Sequence, residues 1–318
     1  MNRLSFLGII GAVTSDVSVA GAAQSRAVVR VAAIPAELAA ECWYAEDLGY
    51  FREAGLDVQL TTLSNAGAIL DAVASRSVDI GFANIIMAAQ AYQRGLSIEV
   101  VAPANLYVAA APTTGYLAVA GDSKINNAAD LSGKAIAVNG TGGIVHFATR
   151  AWIDAHGGNS ANVRFIEFPL SQMPALLLNG RVDAAVLDAA GYGSVIHAER
   201  PARLLGNTFN AVSPNFIVAG WVSNKDFAQA HPGVIRAFRA VMTRTASWAN
   251  SHRRESAEIL ARHTRMSITQ INETARVTYG TLLNPALLRP NLDLAQRYGA
   301  LQGPLAPGSI LGSGTVSR

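Results

Sequence analysis

Ala68-Ile69-Leu70-Asp71-Ala72-Val73-Ala74-Ser75-Arg76-Ser77-Val78-Asp79-Ile80-Gly81-Phe82 is the stretch that decides the fold, because its pattern occurs twice. The second copy is Pro174-Ala175-Leu176-Leu177-Leu178-Asn179-Gly180-Arg181-Val182-Asp183-Ala184-Ala185-Val186-Leu187. Each copy reads as an apolar helix, a tight polar turn, Val-Asp, and a short buried strand. Two copies imply two similar α/β lobes, and a cleft between such lobes suits a small molecule.

Outward from the first copy, Val28 to Ile34 is a β-rich run that stops at Pro35, a first strand. A helix is expected from about Glu37 to Tyr50, with Leu38, Cys42, Ala45 and Leu48 on its buried face. Leu56 to Leu60 alternates as a second strand, and Asp79 to Phe82 and Ile98 to Ala102 are further strands flanking a helix from about Ile85 to Gly95. Around the second copy, strands are expected at Tyr116 to Val119, Ala135 to Val138, Val163 to Phe168 and Asp183 to Leu187. Strands that alternate with helices argue for mostly parallel sheets flanked by helices. Beyond Pro214 a strand is expected from Phe216 to Trp221. Helices follow at about Ala228 to Ser251, Arg254 to His263 and Ile268 to Leu282. Asn284-Pro285 and Arg289-Pro290 read as breaks, and the Gly/Pro/Ser-rich tail from Gly303 as loose. Crossovers near Ala111 to Gly115 and near Gly206 to Pro214 make the second lobe an insertion. Lobe one is then 23–112 plus 210–318, and lobe two is 113–209.

The chain has 318 residues, enough for two lobes, and half of them are apolar, so a large core can form. Net charge is +3 and the basic residues are scattered, with Arg253-Arg254 the longest run, so no nucleic-acid partner is expected. The N-terminus has the parts of a secretory signal peptide over 1–22: Arg3, an apolar run from Leu4 to Val13, and Ala20-Gly21-Ala22 as the small-x-small cleavage site. Asp16 departs from that pattern. No later stretch is apolar for the roughly 18 residues that span a bilayer. Cys42 is the one cysteine, so no internal disulfide can form, and no cluster of His and Cys suggests a metal.

In parallel α/β sheets ligands sit outside the carboxyl ends of the strands, where helix N-termini offer free N–H groups. Asn139-Gly140-Thr141-Gly142-Gly143 follows a strand and opens a helix. It can be a plain tight turn, or it can seat an anion or polar group with Thr141 donating its hydroxyl. Val145 stands where a dinucleotide loop needs glycine, and the Gly-Lys-Ser/Thr ending of a P-loop is absent, so no cofactor is expected. Asn84 follows the first repeat and can cap a helix, reach a ligand, or both. Asp188 holds the equivalent place after the second repeat, either as a solvated strand-end acid or as an acceptor for a ligand's N–H or O–H donors. Ser64-Asn65-Ala66-Gly67 is a turn that can cap the first repeat's helix, and Glu37 can be no more than a first-turn acid. Trp43-Tyr44 and His146 read as packing or exposed residues before they read as ligand contacts.

With these loops placed, the chain resembles the periplasmic solute-binding proteins of ABC importers, nearest to the nitrate/sulfonate/taurine and thiamine-precursor (pyrimidine) group. Four stretches carry the resemblance, which runs from about Val28 to His263: Ala45 to Val58, Val78-Asp79-Ile80-Gly81, Ala129 to Val138, and Gly180-Arg181-Val182-Asp183-Ala184. It implies a type II two-lobed fold with two crossover strands. It also implies a monomer that closes on a small-molecule ligand in the periplasm and delivers it to an inner-membrane permease. By position it carries ligand binding onto Ala36 and Glu37, Ser64 and Asn65, Asn84, Thr141 and Gly142, Asp188, and Asn215. The chain departs from the pattern at Asp188-Ala189-Ala190, where many relatives have an aromatic, an acid and a proline. No arginine stands inside the strand-end loops, and Glu37 and Asp188 would oppose an anion if both faced it. A sulfonate-, taurine- or nitrate-like solute is therefore the first expectation, with a pyrimidine-type or other neutral nitrogenous solute as the alternative. A desulfinase-like enzyme on the same scaffold would need a cysteine just after strand one, whereas Cys42 lies on the apolar stripe of a helix. A regulatory effector domain would follow a helix-turn-helix module, for which the stretch before strand one is too short.

Overall fold

The computed structural model describes residues 26–264 and 266–312. The expected leader, 1–22, lies outside the described residues. The chain begins with β1 (Ala27–Ala33), a single 3-10 turn, and two short helices, α1 (Glu41–Asp47) and α2 (Tyr50–Glu53). It continues through β2 (Leu56–Thr62), α3 (Ala66–Ala74), β3 (Ile80–Asn84), α4 (Ile85–Gln93), β4 (Ile98–Pro103) and β5 (Asn105–Val108). Next come β6 (Thr114–Val119), β7 (Ala135–Val138), α5 (Ile144–Ala155), β8 (Arg164–Glu167), α6 (Met173–Leu178), β9 (Ala184–Asp188), α7 (Ala189–Ile196) and β10 (Arg203–Asn207). The last part holds β11 (Asn215–Ile217), β12 (Ala219–Asn224), α8 (Lys225–Ala230), α9 (Pro232–Ser251), α10 (Arg253–His263), α11 (Ile268–Glu273), β13 (Thr278–Tyr279) and α12 (Pro285–Arg297).

These strands form two five-stranded sheets and one of three strands. The first has the order β2-β1-β3-β12-β4 and the second β10-β6-β9-β7-β8. In each, one strand runs against the rest. β12 pairs antiparallel with both β3 and β4, and β6 pairs antiparallel with both β9 and β10. The remaining strands share one direction, so both sheets are mostly parallel. The third sheet, β11-β5-β13, is antiparallel and joins the two halves: β5 leaves the first sheet just before β6 enters the second, and β11 precedes the return into β12.

The duplicated pattern becomes α3 with β3 and α6 with β9, β3 lying parallel beside β1 and β9 parallel beside β7. Both Val-Asp aspartates do the same work there. The Asp79 carboxylate accepts from the Arg30 backbone N–H at 2.8 Å and pairs with the Arg30 guanidinium at 2.6 Å. The Asp183 carboxylate accepts from the Ala135 backbone N–H at 2.8 Å. Gly81 is required by packing, since a Cβ there would lie 2.3 Å from the Ile69 Cγ2 on α3. The first core centres on aromatic rings, with Trp221 edge-on to Phe82 and Phe238, and Phe51 stacked on Phe238. A smaller core in the second half gathers Ala118, Ala137, Met173, Leu177 and Leu187.

Several expected elements differ. The helix from Glu37 to Tyr50 is broken, because Gly49 adopts a left-handed conformation (φ 75°) between α1 and α2. The strand from Phe216 to Trp221 divides at Val218, where the chain passes from the third sheet into the first. Pro232 ends α8 and starts α9 inside the expected helix Ala228 to Ser251. The helix expected from Ile268 to Leu282 stops at Glu273, and Thr278–Tyr279 pairs with β5 instead. Pro290 sits inside α12 rather than breaking it. The tail, expected to be loose, docks through Gly312. Ile310 is buried, and Leu311 bridges to Val100.

Candidate functional site

The C-terminal ends of β1, β2 and β3 face those of β7, β8 and β9 across a cavity of about 470 Å³. The first half contributes Ala36, Ser64, Asn65 and Asn84, and the second contributes Asn139, Gly140, Glu167 and Ser171. Asn105 on β5 and Phe209 and Val218 near the crossovers complete the wall. Apolar surface comes from Ile34, Leu38, Phe82, Met87 and Val186. Among the described residues on this wall there is no lysine, arginine or histidine, and Glu167 is the one charged residue.

Local folding sets how the polar groups present themselves. Asn65 and Asn84 are the N-caps of α3 and α4, and their carboxamide oxygens accept from Ala68 N (2.9 Å) and Met87 N (3.0 Å). A carboxamide engaged this way still has its NH₂ group to offer. The twelve-residue α5 has no side-chain cap, and its first residues Gly143, Ile144 and Val145 line the cavity. Its free N–H groups and the positive end of its dipole therefore open into the cavity.

The Gly loop is arranged differently from the expectation. Thr141 is absent from the wall; its backbone N–H and its hydroxyl both donate to the Glu167 carboxylate, at 2.9 and 3.0 Å. Gly142 is also off the wall. Its carbonyl accepts from Gln90 Nε2 at 3.0 Å, a bond between the two halves, and its N–H donates to His146 Nδ1 at 3.1 Å. Burial and the charge of Arg150 lower the His146 pKa to about 4, so the ring is neutral and can accept. The neighbours of these residues, Asn139, Gly140 and Gly143, are the ones that reach the cavity.

Glu37 and Asp188 lie on a second cavity of about 620 Å³, which shares Pro35, Ala36, Leu38, Leu170 and Ser171 with the first. Neither acid is free. Arg276 Nε donates to the Glu37 carboxylate, and the same guanidinium reaches the Tyr44 and Ser256 hydroxyls at 3.2 Å each. Burial pushes the Glu37 carboxyl up, while Arg276 pulls it back down. Asp188 caps α7 through Gly191 N at 2.8 Å, and burial raises its pKa. Basic side chains, absent from the first wall among the described residues, appear here: Arg262 and His263 line the second cavity, and both contact Asp47, at 2.6 and 2.9 Å. Asn215 begins β11 opposite Val108 and lines neither cavity. Trp43 is buried and stacks on His263 with ring centres 5.5 Å apart. Cys42 is fully buried, its Sγ donates to Ala39 O at 3.2 Å, and burial pushes the thiol pKa up, which disfavours the reactive thiolate. No group of three His, Cys, Asp or Glu among the described residues could hold a metal. None of the described helices is long and apolar enough to cross a membrane.

Asn105, Glu167 and Arg276 were not singled out from the sequence. Glu167 ends an ordinary strand, Asn105 lies in a three-stranded sheet assembled from distant segments, and Arg276 falls in a stretch expected to be helical. Asn139 and Gly140 belong to the loop that was singled out.

No curated protein sequence matches the chain. Solved structures match its fold. The alkanesulfonate-binding protein SsuA from Xanthomonas axonopodis pv. citri, bound to MOPS, is 16% identical with a TM-score of 0.74, over 91% of this chain and 99% of that one. The periplasmic aliphatic sulphonate binding protein SsuA from Escherichia coli is 16% identical with a TM-score of 0.71, over 92% and 94%. The periplasmic nitrate-binding protein NrtA from Synechocystis PCC 6803 is 15% identical with a TM-score of 0.74, over 90% and 85%. At these identities the likeness establishes the two-lobed periplasmic-binding-protein fold. The sequence profile described as NMT1/THI5 like matches residues 39–256, more than half of the chain, so this protein belongs to the NMT1/THI5-like family.

Proposed function

We propose that the protein is the extracytoplasmic solute-binding component of an ABC importer. It captures a small polar solute between its lobes and hands it to an inner-membrane permease. The observation that carries this reading is the cavity of about 470 Å³, whose wall is shared by strand-end loops of both sheets. A solute there contacts both halves at once and so favours the closed form. We assign lobe one to 23–112 with 210–318 and lobe two to 113–209. The N-terminal 1–22 is read as a signal peptide and the location as periplasmic. The reading is not enzymatic, and it is supported by the burial of the Cys42 thiol away from the cavity wall.

Two solute classes have separate support. The sulfonate- and nitrate-binding neighbours, together with the uncapped N-terminus of α5, favour an anion of the sulfonate, taurine or nitrate type. The carboxamide-rich wall without lysine, arginine or histidine favours a pyrimidine-type or other neutral nitrogenous solute. A thermal-shift screen of the chain from Ala23 with taurine, alkanesulfonates, nitrate, pyrimidines and amines separates them. A ligand at a hundred times its dissociation constant stabilises the fold by about 2.7 kcal/mol. Shifts confined to sulfonates or nitrate select the first class, and shifts confined to uncharged heterocycles or amines select the second. A flat response across the panel, in protein confirmed to be folded and ligand-free, counts against solute capture of either kind.

A further inference from the structure

We infer that Asn105 is a specificity residue whose carboxamide oxygen accepts a hydrogen bond from an amine or amide N–H of the captured solute. The inference rests on the solute-capture reading and names a feature of the ligand that the reading leaves open. Three buried side-chain oxygens have no partner among the described residues: Glu41 Oε1, Asn105 Oδ1 and Asn291 Oδ1. Of these residues only Asn105 lines either of the two cavities described above. Three other acceptor oxygens on that wall are engaged. Asn65 and Asn84 use their oxygens as helix caps, and Glu167 takes both donors of Thr141. On that wall the Asn105 oxygen is the acceptor that is both buried and without a donor among the described residues.

The side chain has little freedom to find another partner. Asn105 is 2% exposed and starts β5, opposite Tyr279 of β13, and its backbone oxygen accepts from Val218 N at 2.9 Å. A buried acceptor without a donor is unfavourable, and native proteins rarely keep one without a use. A solute N–H reaching this oxygen removes that penalty at the moment of binding. Because β5 is one of the strands joining the two sheets, the same contact seats the solute against the joint.

Two measurements test this. The first compares melting of ligand-free wild type and Asn105→Leu, a change that keeps the branched shape and removes the polar atoms. The variant is expected to melt at the same temperature or higher. A fall of more than about 4 °C would mean the carboxamide has a structural partner, and the inference falls. The second is calorimetric titration with two probe pairs, taurine against ethanesulfonate and 4-aminopyrimidine against pyrimidine. Wild type is expected to bind the amino member of at least one pair about tenfold or more tightly, the effect of one well-placed hydrogen bond. Asn105→Leu should level that pair by weakening the amino member alone, and Asn105→Asp, which keeps an acceptor, should retain the preference. If wild type binds both members of each pair equally, or if Asn105→Leu keeps the preference, the inference is overturned while solute capture stands. If wild type binds none of the four probes, the solute-capture reading itself loses its support and the inference falls with it.

Discussion

Asp79 and Asp183 stand at the same point of the repeated Val-Asp pattern, and each ties the start of its strand to the strand beside it. The two differ in burial: the Asp79 side chain is 8% exposed and that of Asp183 40%. A charge-assisted hydrogen bond counts for more where water is excluded. Asp79→Ala is therefore expected to lower unfolding free energy by about 1.5–3 kcal/mol, and Asp183→Ala by about half of that. Urea midpoints check it, and equal losses at the two sites would remove burial as the cause. Glu41 gives a pH-dependent counterpart. It is fully buried, its carboxylate oxygen accepts from Trp221 Nε1 at 3.1 Å, and burial holds its pKa well above the usual carboxylate range. The folded state therefore keeps the proton longer than the unfolded chain does. The stabilisation is complete below the unfolded value near 4.3 and is lost as pH rises through the folded value. Glu41→Gln keeps an acceptor for Trp221 but cannot ionise, so its stability should rise relative to wild type between pH 4 and 8. Asp47, Asp154 and His146 have lowered values and act in the opposite direction, so the difference between the two proteins, not either curve alone, is the readout.

At the scale of elements, the helices that meet the cleft are built by residues with two duties. Asn65 and Asn84 cap α3 and α4 and also line the cavity, whereas Asp188 caps α7 and lines the neighbouring one. Capping and ligand contact can be separated at Asn84. Asn84→Ala removes the cap and should cost about 1 kcal/mol of stability. Asn84→Asp keeps a capping oxygen and should stay within about 0.5 kcal/mol of wild type, but it places a negative charge on the cavity wall. Affinity for taurine or nitrate would then fall in Asn84→Asp despite its intact stability. Equal affinities in wild type and Asn84→Asp would mean that Asn84 acts as a cap alone. Gly142 is a poor probe by comparison. Its φ of +81° is strained for any side chain, so substitutions there mix backbone and contact effects.

For the molecule as a whole, two ties among the described residues link the halves away from the crossovers. Gln90 on α4 donates to Gly142 O, from one half to the other. Next to it, α12 packs against both α4 and α5: the Tyr298 hydroxyl donates to Asp154 at 2.7 Å, and the Arg150 guanidinium sits 4.6 Å from the Tyr298 ring centre. Each tie is exposed or half-buried and contributes roughly 0.5–1.5 kcal/mol. Removing both with Gln90→Ala and Tyr298→Phe should shift the ligand-free protein towards open forms. The expected sign is a larger radius of gyration by small-angle X-ray scattering than wild type shows. Superimposable profiles would mean that these bonds do not bias the lobes.

Local pattern alone was enough for the alternation of helices and strands, the two related halves, the Val-Asp turns and the strand-end position of the loops that line the cavity. Those features depend on periodicity and on residues close in the chain, which is why Ala68 to Phe82 and its second copy were legible. The turn from Asn139 to Gly143 was legible as a site, but which of its residues face the cavity was not, since Glu167 takes Thr141 and Gln90 takes Gly142 from distant segments. Glu37 reads from sequence as a first-turn acid or a ligand contact, because nothing near it in sequence foretells Arg276. Asn105 became a candidate only once β5 was held between β11 and β13 with its carboxamide oxygen unclaimed. The sequence by itself determined the class of fold and the loops at the cleft, because short-range patterning sets both. Only the tertiary structure decided which polar atoms remain free inside the cavity, because partners far apart in the chain satisfy or abandon them.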